Sequence, residues 1–411
     1  MTTTEYRARL VDGLLEDLFS ELPALAITGP RATGKTTTAA RHARTVVRLD
    51  RAAEAAAFHA DPDAALAGLA EPVLLDEWQE VPQVLGAVKR SLDGNYRPAR
   101  FLLTGSVRAE LEGATWPGTG RVVRVPMYGM TVRELHGSPN RAFLDRLVDG
   151  DALALPEDVP DLRGYVRLAL AGGFPEPVLR LGEQARTAWL ESYIEQLVTR
   201  DAPAVNPGRD PARLRRYFET FALNTAGTAS ESTIFGAAGL NRKTAAAYER
   251  LLTNLFVIDA VPAWTSNRLR RLSARPKRYV VDAALAASLL RVDERAVLRD
   301  GDLLGRIIDT FVVSQLRAEL PLTRARPRLY HLREEHGRHE VDLVAELGGE
   351  KVVAIEVKAT AAPTRDDARH LIWLRDQLDD RFVRGVVFHT GPRTFGVAQR
   401  IDAVPICALW G

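Results

Sequence analysis

From Ala24 to Glu134, short apolar runs with no polar face alternate with stretches of helical spacing. Ala24-Leu-Ala-Ile, Val46-Val-Arg-Leu, Pro72-Val-Leu-Leu and Arg100-Phe-Leu-Leu read as strands covered on both sides, and Gly118-Thr-Gly-Arg-Val-Val-Arg-Val closes the series. Leu10, Leu14, Leu15 and Leu18 predict an amphipathic helix over Tyr6 to Leu22. Thr37 to Ala43 and Ala52 to His59 predict two more. Strands that alternate with helices imply a parallel sheet with helices on both faces.

The pattern then turns helical. Arg163 to Leu170 and Glu183 to Arg200 have helical spacing, with Trp189, Tyr193 and Leu197 four apart, as expected for core packing. Gly172-Gly173-Phe174-Pro175 reads as a turn and Ala202 to Pro211 as a linker. Ser232 to Ala238, then Gly239-Leu240-Asn241 and Arg242 to Leu252, have the form of a helix-turn-helix with Asn241 as N-cap. Toward the end, Leu303 to Leu320 predicts a helix. Glu340 to Leu347 and Lys351 to Lys358 predict two strands joined through Gly348-Gly349. Val383 to Thr390 is the next expected strand and Val404 to Leu409 an edge strand.

The expected architecture is therefore α/β. A parallel-sheet domain of the P-loop type spans 1–148, and a helical subdomain with its linker spans 149–211. A winged helix-turn-helix-like module spans 212–290, and a nuclease-like α/β domain spans 291–411. The acidic, Pro-containing stretch from Asp149 to Asp161 marks the exit from the first.

Composition changes this picture little. A chain of 411 residues is too long for one core, and 46% hydrophobic with 26% charged residues is ordinary for a globular protein. A net charge of +2 requires any nucleic-acid surface to be a local patch. Cys407 is the only cysteine, which excludes an intramolecular disulfide and a cysteine-built zinc site. The first residues lack a secretory profile and no uncharged apolar run reaches about 18 residues, so a cytoplasmic location without a membrane segment is expected.

Candidate chemistry begins at Gly29-Pro30-Arg31-Ala32-Thr33-Gly34-Lys35-Thr36-Thr37, between a strand and a helix. The glycines let consecutive amide N–H groups and the helix N-terminus face phosphates; Lys35 adds a charge to them and Thr36 a hydroxyl to Mg²⁺. The chain has only six lysines, and this pattern would arise by chance in roughly a few chains per thousand. Asp76 and Glu77 emerge at a strand's C-terminal end, where Asp76 can hold the metal shell and Glu77 can polarise the attacking water. Thr104 and Ser106 end the next strand as candidates to sense the γ-phosphate. Arg121 is a candidate arginine finger toward a neighbouring subunit, which makes a homo-oligomer an option.

Two further constellations are legible. Arg268, Arg270, Arg271, Arg275, Lys277 and Arg278 follow one another without an acidic residue, as a basic wing would. With Arg242 and Lys243 on the second helix they form the candidate DNA contact; the alternative is an interdomain spacer. In the last part, Glu356 and Lys358 share one face of a strand by period two, Asp342 lies level on the partner strand, and Asp309 sits on the preceding helix. Carboxylates that hold Mg²⁺ beside a lysine are what metal-assisted phosphodiester hydrolysis needs, while a plain buried ion pair is the alternative.

With these residues in view, the chain from about Ala24 to Thr390 resembles the bacterial and archaeal family of AAA-type ATPases whose C-terminal half is a domain of unknown function with a restriction-nuclease-like core, PD-(D/E)xK. The resemblance rests on Gly29 to Thr36, Asp76-Glu-Trp-Gln-Glu-Val-Pro82, Leu103 to Ser106, Gly120-Arg121, Gly173-Phe-Pro-Glu176, Arg278-Tyr-Val-Val-Asp282 and Glu340-Val-Asp342 with Glu356-Val-Lys358. That family's pattern has glutamate where Asp309 stands and isoleucine where Trp78 stands. The resemblance implies ATP binding. The expectation is an Mg²⁺-dependent ATPase whose nucleotide state controls a DNA-facing C-terminal half, and the alternative is a non-hydrolysing ATP-binding regulatory protein with an inactive nuclease-like domain.

Overall fold

The computed structural model describes residues 6–106, 119–138, 140–206, 208, 210–265, 274–334 and 338–411. The chain divides into two compact units, Met1–Gly129 with Leu252–Phe256, and Met130–Leu251 with Val257–Gly411.

The first unit is built on β1 (Ala24–Thr28), β2 (Thr45–Arg48), β3 (Val73–Asp76), β4 (Phe101–Gly105) and β5 (Val123–Pro126), in the order β2-β3-β4-β1-β5. All neighbours are parallel. Alternation sends successive residues of each strand to opposite faces, and both faces are apolar. Leu25, Ile27, Leu74 and Leu102 pack with Val11, Leu15 and Phe19 of the helix Val11–Glu21. Ala24, Ala26, Leu75 and Leu103 pack with Val84, Val88 and Leu92 of the helix Val84–Gly94. Burial on both sides explains runs without a polar position. The helix expected over Thr37 to Ala43 runs Lys35–Ala40, and the first helix begins at Val11 rather than Tyr6.

The second unit begins earlier than the expected boundary at 148. The short helices Val132–His136 and Phe143–Asp149 are tied to the helix Gly301–Glu319: Val132 N–H donates to Gln315 at 2.8 Å, Arg133 to Glu319 at 2.7 Å, and Phe143 N–H to the other oxygen of Glu319 at 2.7 Å. These groups are buried, so the pairing fixes the two helices to this unit. The predicted helices follow as Leu162–Ala171, Glu183–Gln196, Glu231–Ala237 and Arg242–Asn254, and Pro211–Leu223 is a further helix among them. Asn241 caps the last, accepting from Thr244 N–H at 2.9 Å. The predicted linker is in part helical, over Ala202–Val205. Trp189 and Tyr193 stack on each other, and both rings meet Phe174 at a tilt.

Two motifs of this unit meet at Asp282. It caps the helix Ala283–Leu290 and accepts from Gly173 N–H at 2.8 Å. A Cβ at Gly172, whose φ is 68°, would lie 2.8 Å from Asp282 Oδ1 and from Ala284 Cβ, so the turn tolerates no side chain there.

Strands β6 (Ile258–Val261) and β7 (Lys277–Val280) pair antiparallel. Arg268, Arg270 and Arg271 of the expected wing lie outside the described residues. The six-stranded sheet has the order β12-β13-β11-β10-β9-β8, from β8 (Arg328–Glu334), β9 (His339–Glu346), β10 (Val352–Val357), β11 (Phe382–His389), β12 (Phe395–Ala398) and β13 (Ile401–Pro405). β10 pairs parallel to β11 and antiparallel to β9. The strand expected at the edge over Val404 to Leu409 is instead the inner β13, and Ile406–Leu409 forms a buried 3-10 turn. The edge on this side is β12, whose fourth residue, Ala398, pairs with Ile401 after a register shift.

Candidate functional site

Parallel register places the carboxyl ends of β1, β4 and β3 at one level: Ile27 is opposite Thr104 and Thr104 opposite Asp76. The loop after β1 therefore opens beside the ends of β3 and β4, where sheets of this kind bind ligands. A Cβ at Gly29 would lie 2.0 Å from the carbonyl oxygen of Met127, so only glycine lets the loop leave β1 there. Gly34 takes φ 92° and Ala32 φ 60°, turning the backbone before the helix that starts at Lys35.

Lys35 is buried, with Nζ donating to the carbonyl of Pro30 at 2.6 Å. Burial pulls its ammonium down to about 8, and Glu77 and Asp76 offset only part of that loss. Thr36 Oγ1 donates to Asp76 Oδ1 at 2.7 Å, and Thr104 Oγ1 donates to the same oxygen at 2.5 Å. Thr36 and Asp76 fit Mg²⁺, which takes few protein ligands and completes its shell with phosphate and water oxygens. Glu77 has φ 53°, an uncommon conformation for its type, and its carboxylate accepts from Ser106 Oγ at 3.2 Å and from the Gln79 amide. A Cβ at Gly105 would lie 2.9 Å from Trp78 Nε1 and 3.0 Å from Gln79 Oε1.

Sequence reasoning missed two supports of this loop. Arg9 donates to the carbonyls of Thr33 at 2.7 Å and Tyr128 at 2.8 Å, and the Tyr6 hydroxyl lies 3.0 Å from Thr38 Oγ1 with Arg41 over its ring. A lone arginine before a helix carries no signal for this; the contact spans the fold. Arg121 precedes β5, which runs parallel to its neighbour β1, so in its own chain it stands at the end of the strands away from the loop. There it pairs with Asp93 at 2.7 Å on the surface.

The second candidate site lies wholly in the other unit. A cavity of about 1150 Å³ is lined by Asp309, Asp342, Glu356 and Lys358, with Arg275 and His331 at its wall. The four residues expected from the sequence are thus brought together. Asp342 lies one position before Leu343, the partner of Ile355, so it is level with Glu356. Lys358 donates to Glu356 Oε1 at 2.8 Å. Burial, and then the charge of Asp342, push Glu356 up to about 8. Burial also raises Asp309 to about 6, against the pull of Lys277.

Lys277 corrects the reading of the basic stretch. It is 3% exposed, and its Nζ bonds Asp309 Oδ2 at 2.5 Å and Asp342 Oδ1 at 2.8 Å. It is therefore no surface contact for DNA. Burial works against its charge, yet the two carboxylates outweigh burial and hold the ammonium well above its ordinary value. Arg278 is also buried, bound to Glu249 and the carbonyl of Ala229. Strand pairing turns these residues inward, which a charge run alone does not reveal. Arg242 and Lys243 remain exposed, and the Arg275 carbonyl accepts from His331 Nε2. Among the described residues, no three of His, Cys, Asp and Glu are grouped so as to hold a metal ion.

Among the described residues no helix is long and apolar enough to cross a membrane. Residues 21–136 match an AAA domain, residues 162–296 a domain of unknown function (DUF8612), and residues 304–409 a second domain of unknown function (DUF4143). The chain is similar to the uncharacterized protein Rv2008c of Mycobacterium tuberculosis, 28% identical over 388 residues, which are 93% of this chain and 80% of the relative. The uncharacterized protein Mb2031c of Mycobacterium bovis gives the same figures, 28%, 93% and 80%.

Proposed function

We propose that the N-terminal unit is an Mg²⁺-dependent ATPase. The observation that carries this is the convergence of the Thr36 and Thr104 hydroxyls on one oxygen of Asp76, beside a buried Lys35. In this reading the loop N–H groups from Pro30 to Thr37 cradle the phosphates, and Lys35 turns from the Pro30 carbonyl to the β- and γ-phosphates. Thr36 and Asp76 would hold Mg²⁺, which when bound would supply positive charge beside the phosphate oxygens. Glu77, oriented by Ser106 and Gln79, holds the attacking water as general base, and Thr104 reports on the γ-phosphate through Asp76. Binding and turnover measured side by side test it. Lys35→Ala should weaken ATP binding strongly, and Glu77→Gln should bind ATP but turn it over far more slowly. Unchanged kinetics in Glu77→Gln would favour the non-hydrolysing regulatory reading.

The nucleotide state is further proposed to control a DNA-facing C-terminal unit, with Arg242 and Lys243 at the exposed start of their helix and Asp309, Asp342, Glu356 and Lys358 as a nuclease-like cavity. The match to an AAA domain and the cavity support this order of parts. Filter binding to duplex DNA across a salt series, with and without an ATP analogue, is the test. No binding at low salt in either state would remove it.

A further inference from the structure

Metal-assisted phosphodiester chemistry calls for carboxylates and one lysine on the sheet. A second lysine, Lys277, delivered from β7 outside the six-stranded sheet, is buried against two of the cavity's carboxylates. The carboxylates are oriented toward it. Asp342 Oδ2 accepts from Val357 N–H at 2.9 Å, and Asp309 Oδ1 accepts from the Tyr279 hydroxyl at 3.1 Å. Each aspartate therefore has one oxygen pinned to the protein, and the other bonds Lys277 Nζ at 2.5 or 2.8 Å. A third oxygen, Glu356 Oε2, is buried without a hydrogen-bond partner in a residue that lines the same cavity. The Lys277 stem is enclosed and its backbone is paired to Val261, so the ammonium does not swing clear without moving the strand.

We propose that Lys277 takes the place a divalent cation would fill between Asp309 and Asp342: its ammonium keeps Mg²⁺ and Mn²⁺ out, and vacating it lets Asp309, Asp342 and Glu356, which are not grouped to hold an ion while the lysine is there, close on one. A hard cation prefers such oxygens at about 2.0–2.4 Å, slightly inside the distances at which the ammonium now sits. The doubly charged ion and the ammonium repel each other and compete for the same two oxygens. Glu356, which Lys277 leaves with an unbonded buried oxygen, gains a partner when the ion replaces the lysine. This deepens the nuclease-like reading of the cavity and does not depend on DNA cleavage.

The test is Mn²⁺ binding to the full chain without nucleotide, followed by electron paramagnetic resonance. The wild type should show no Mn²⁺ site sensitive to Asp342→Asn. Lys277→Met should gain one, tighter by about tenfold or more than any wild-type binding, and the gain should vanish when Asp342→Asn is added. An Asp342-dependent site already present in the wild type overturns the proposal, as does a folded Lys277→Met chain that gains none. Where Lys277→Met fails to fold, Lys277→Gln replaces it, and the wild-type comparison with Asp342→Asn still decides. Mn²⁺ binding by the variant without cleavage of DNA leaves this inference standing and removes the nuclease-like reading.

Discussion

Each unit buries a lysine beside acidic residues, with opposite consequences. Lys35 is bonded to a neutral carbonyl, and burial pulls its ammonium down to about 8. Lys277 is bonded to two carboxylates that hold its ammonium well above the ordinary value. A buried cation with a neutral partner is short of negative charge and gains from an arriving phosphate. A buried cation between two carboxylates is already neutralised, and an arriving phosphate gains little from it. Residue type and burial are the same; the partners separate the lysine proposed to meet a phosphate from the one already held by two carboxylates.

The largest expected effect attacks the structural member. Lys277→Ala leaves two buried aspartates uncompensated, and should cost about 3–5 kcal/mol of stability. Denaturant unfolding of the full chain measures it; a loss below about 1 kcal/mol would mean that the lysine is not holding the cavity together. On the other side, Glu77→Gln should lower ATP turnover by about 10²–10⁴-fold with binding retained, read by phosphate release at saturating ATP. Lys35→Ala should weaken ATP binding by about 10²-fold, because a charge-assisted bond contributes about 1.5–3 kcal/mol, read by titration with a fluorescent analogue.

The comparison also has a pH signature. Lys35 falls from its ordinary 10.5 to about 8 in the folded chain, so the unfolded chain holds the extra proton between those values and stability rises with pH across them. ATP affinity should move the other way, weakening above pH 8 and doing so less in Lys35→Arg, as calorimetry in a buffer series will show. Glu356 rises from 4.5 to about 8, so its contribution is full below 4.5 and lost as pH climbs through about 8. Thermal melts at several pH values should show that loss, and Glu356→Gln should remove it. The smallest effect is expected at Arg121. With its pairing to Asp93 and its place at the end of the strands away from the loop, Arg121→Ala should leave ATP binding unchanged, while slower turnover in the variant would assign it to a neighbour's site.

The nucleotide loop was legible because its chemistry is local: strand, glycines, lysine and helix are consecutive, and Asp76 follows another apolar run. The cavity was legible to the extent that period two and a helix could place Asp342, Glu356, Lys358 and Asp309. Lys277 was not. It reaches Asp309 across 32 residues and Asp342 across 65, and its neighbours in sequence are arginines, so the local pattern reads as solvent-facing charge. Whether a cation faces water or carboxylates is decided by strand pairing. The same limit hid Arg9, whose partners Thr33 and Tyr128 are far along the chain, and the place of β13 inside its sheet, which depends on β12 folding back over it.

The space that Gly105 leaves for Trp78 and Gln79 bears on how this stretch can drift over generations. Trp78 is anchored in the core, Gln79 and Ser106 grip Glu77, and Glu77 holds a left-handed backbone. A methyl group at position 105 would press on Trp78 and Gln79 without touching any ligand, yet it would be felt as a fault in the carboxylate between them. Positions 77, 78, 79, 105 and 106 are therefore expected to change together or hardly at all. In a library of random variants, the strongest departures from additivity in the N-terminal unit should fall among these five, and a second change at 78 or 79 should rescue Gly105→Ala more often than changes elsewhere.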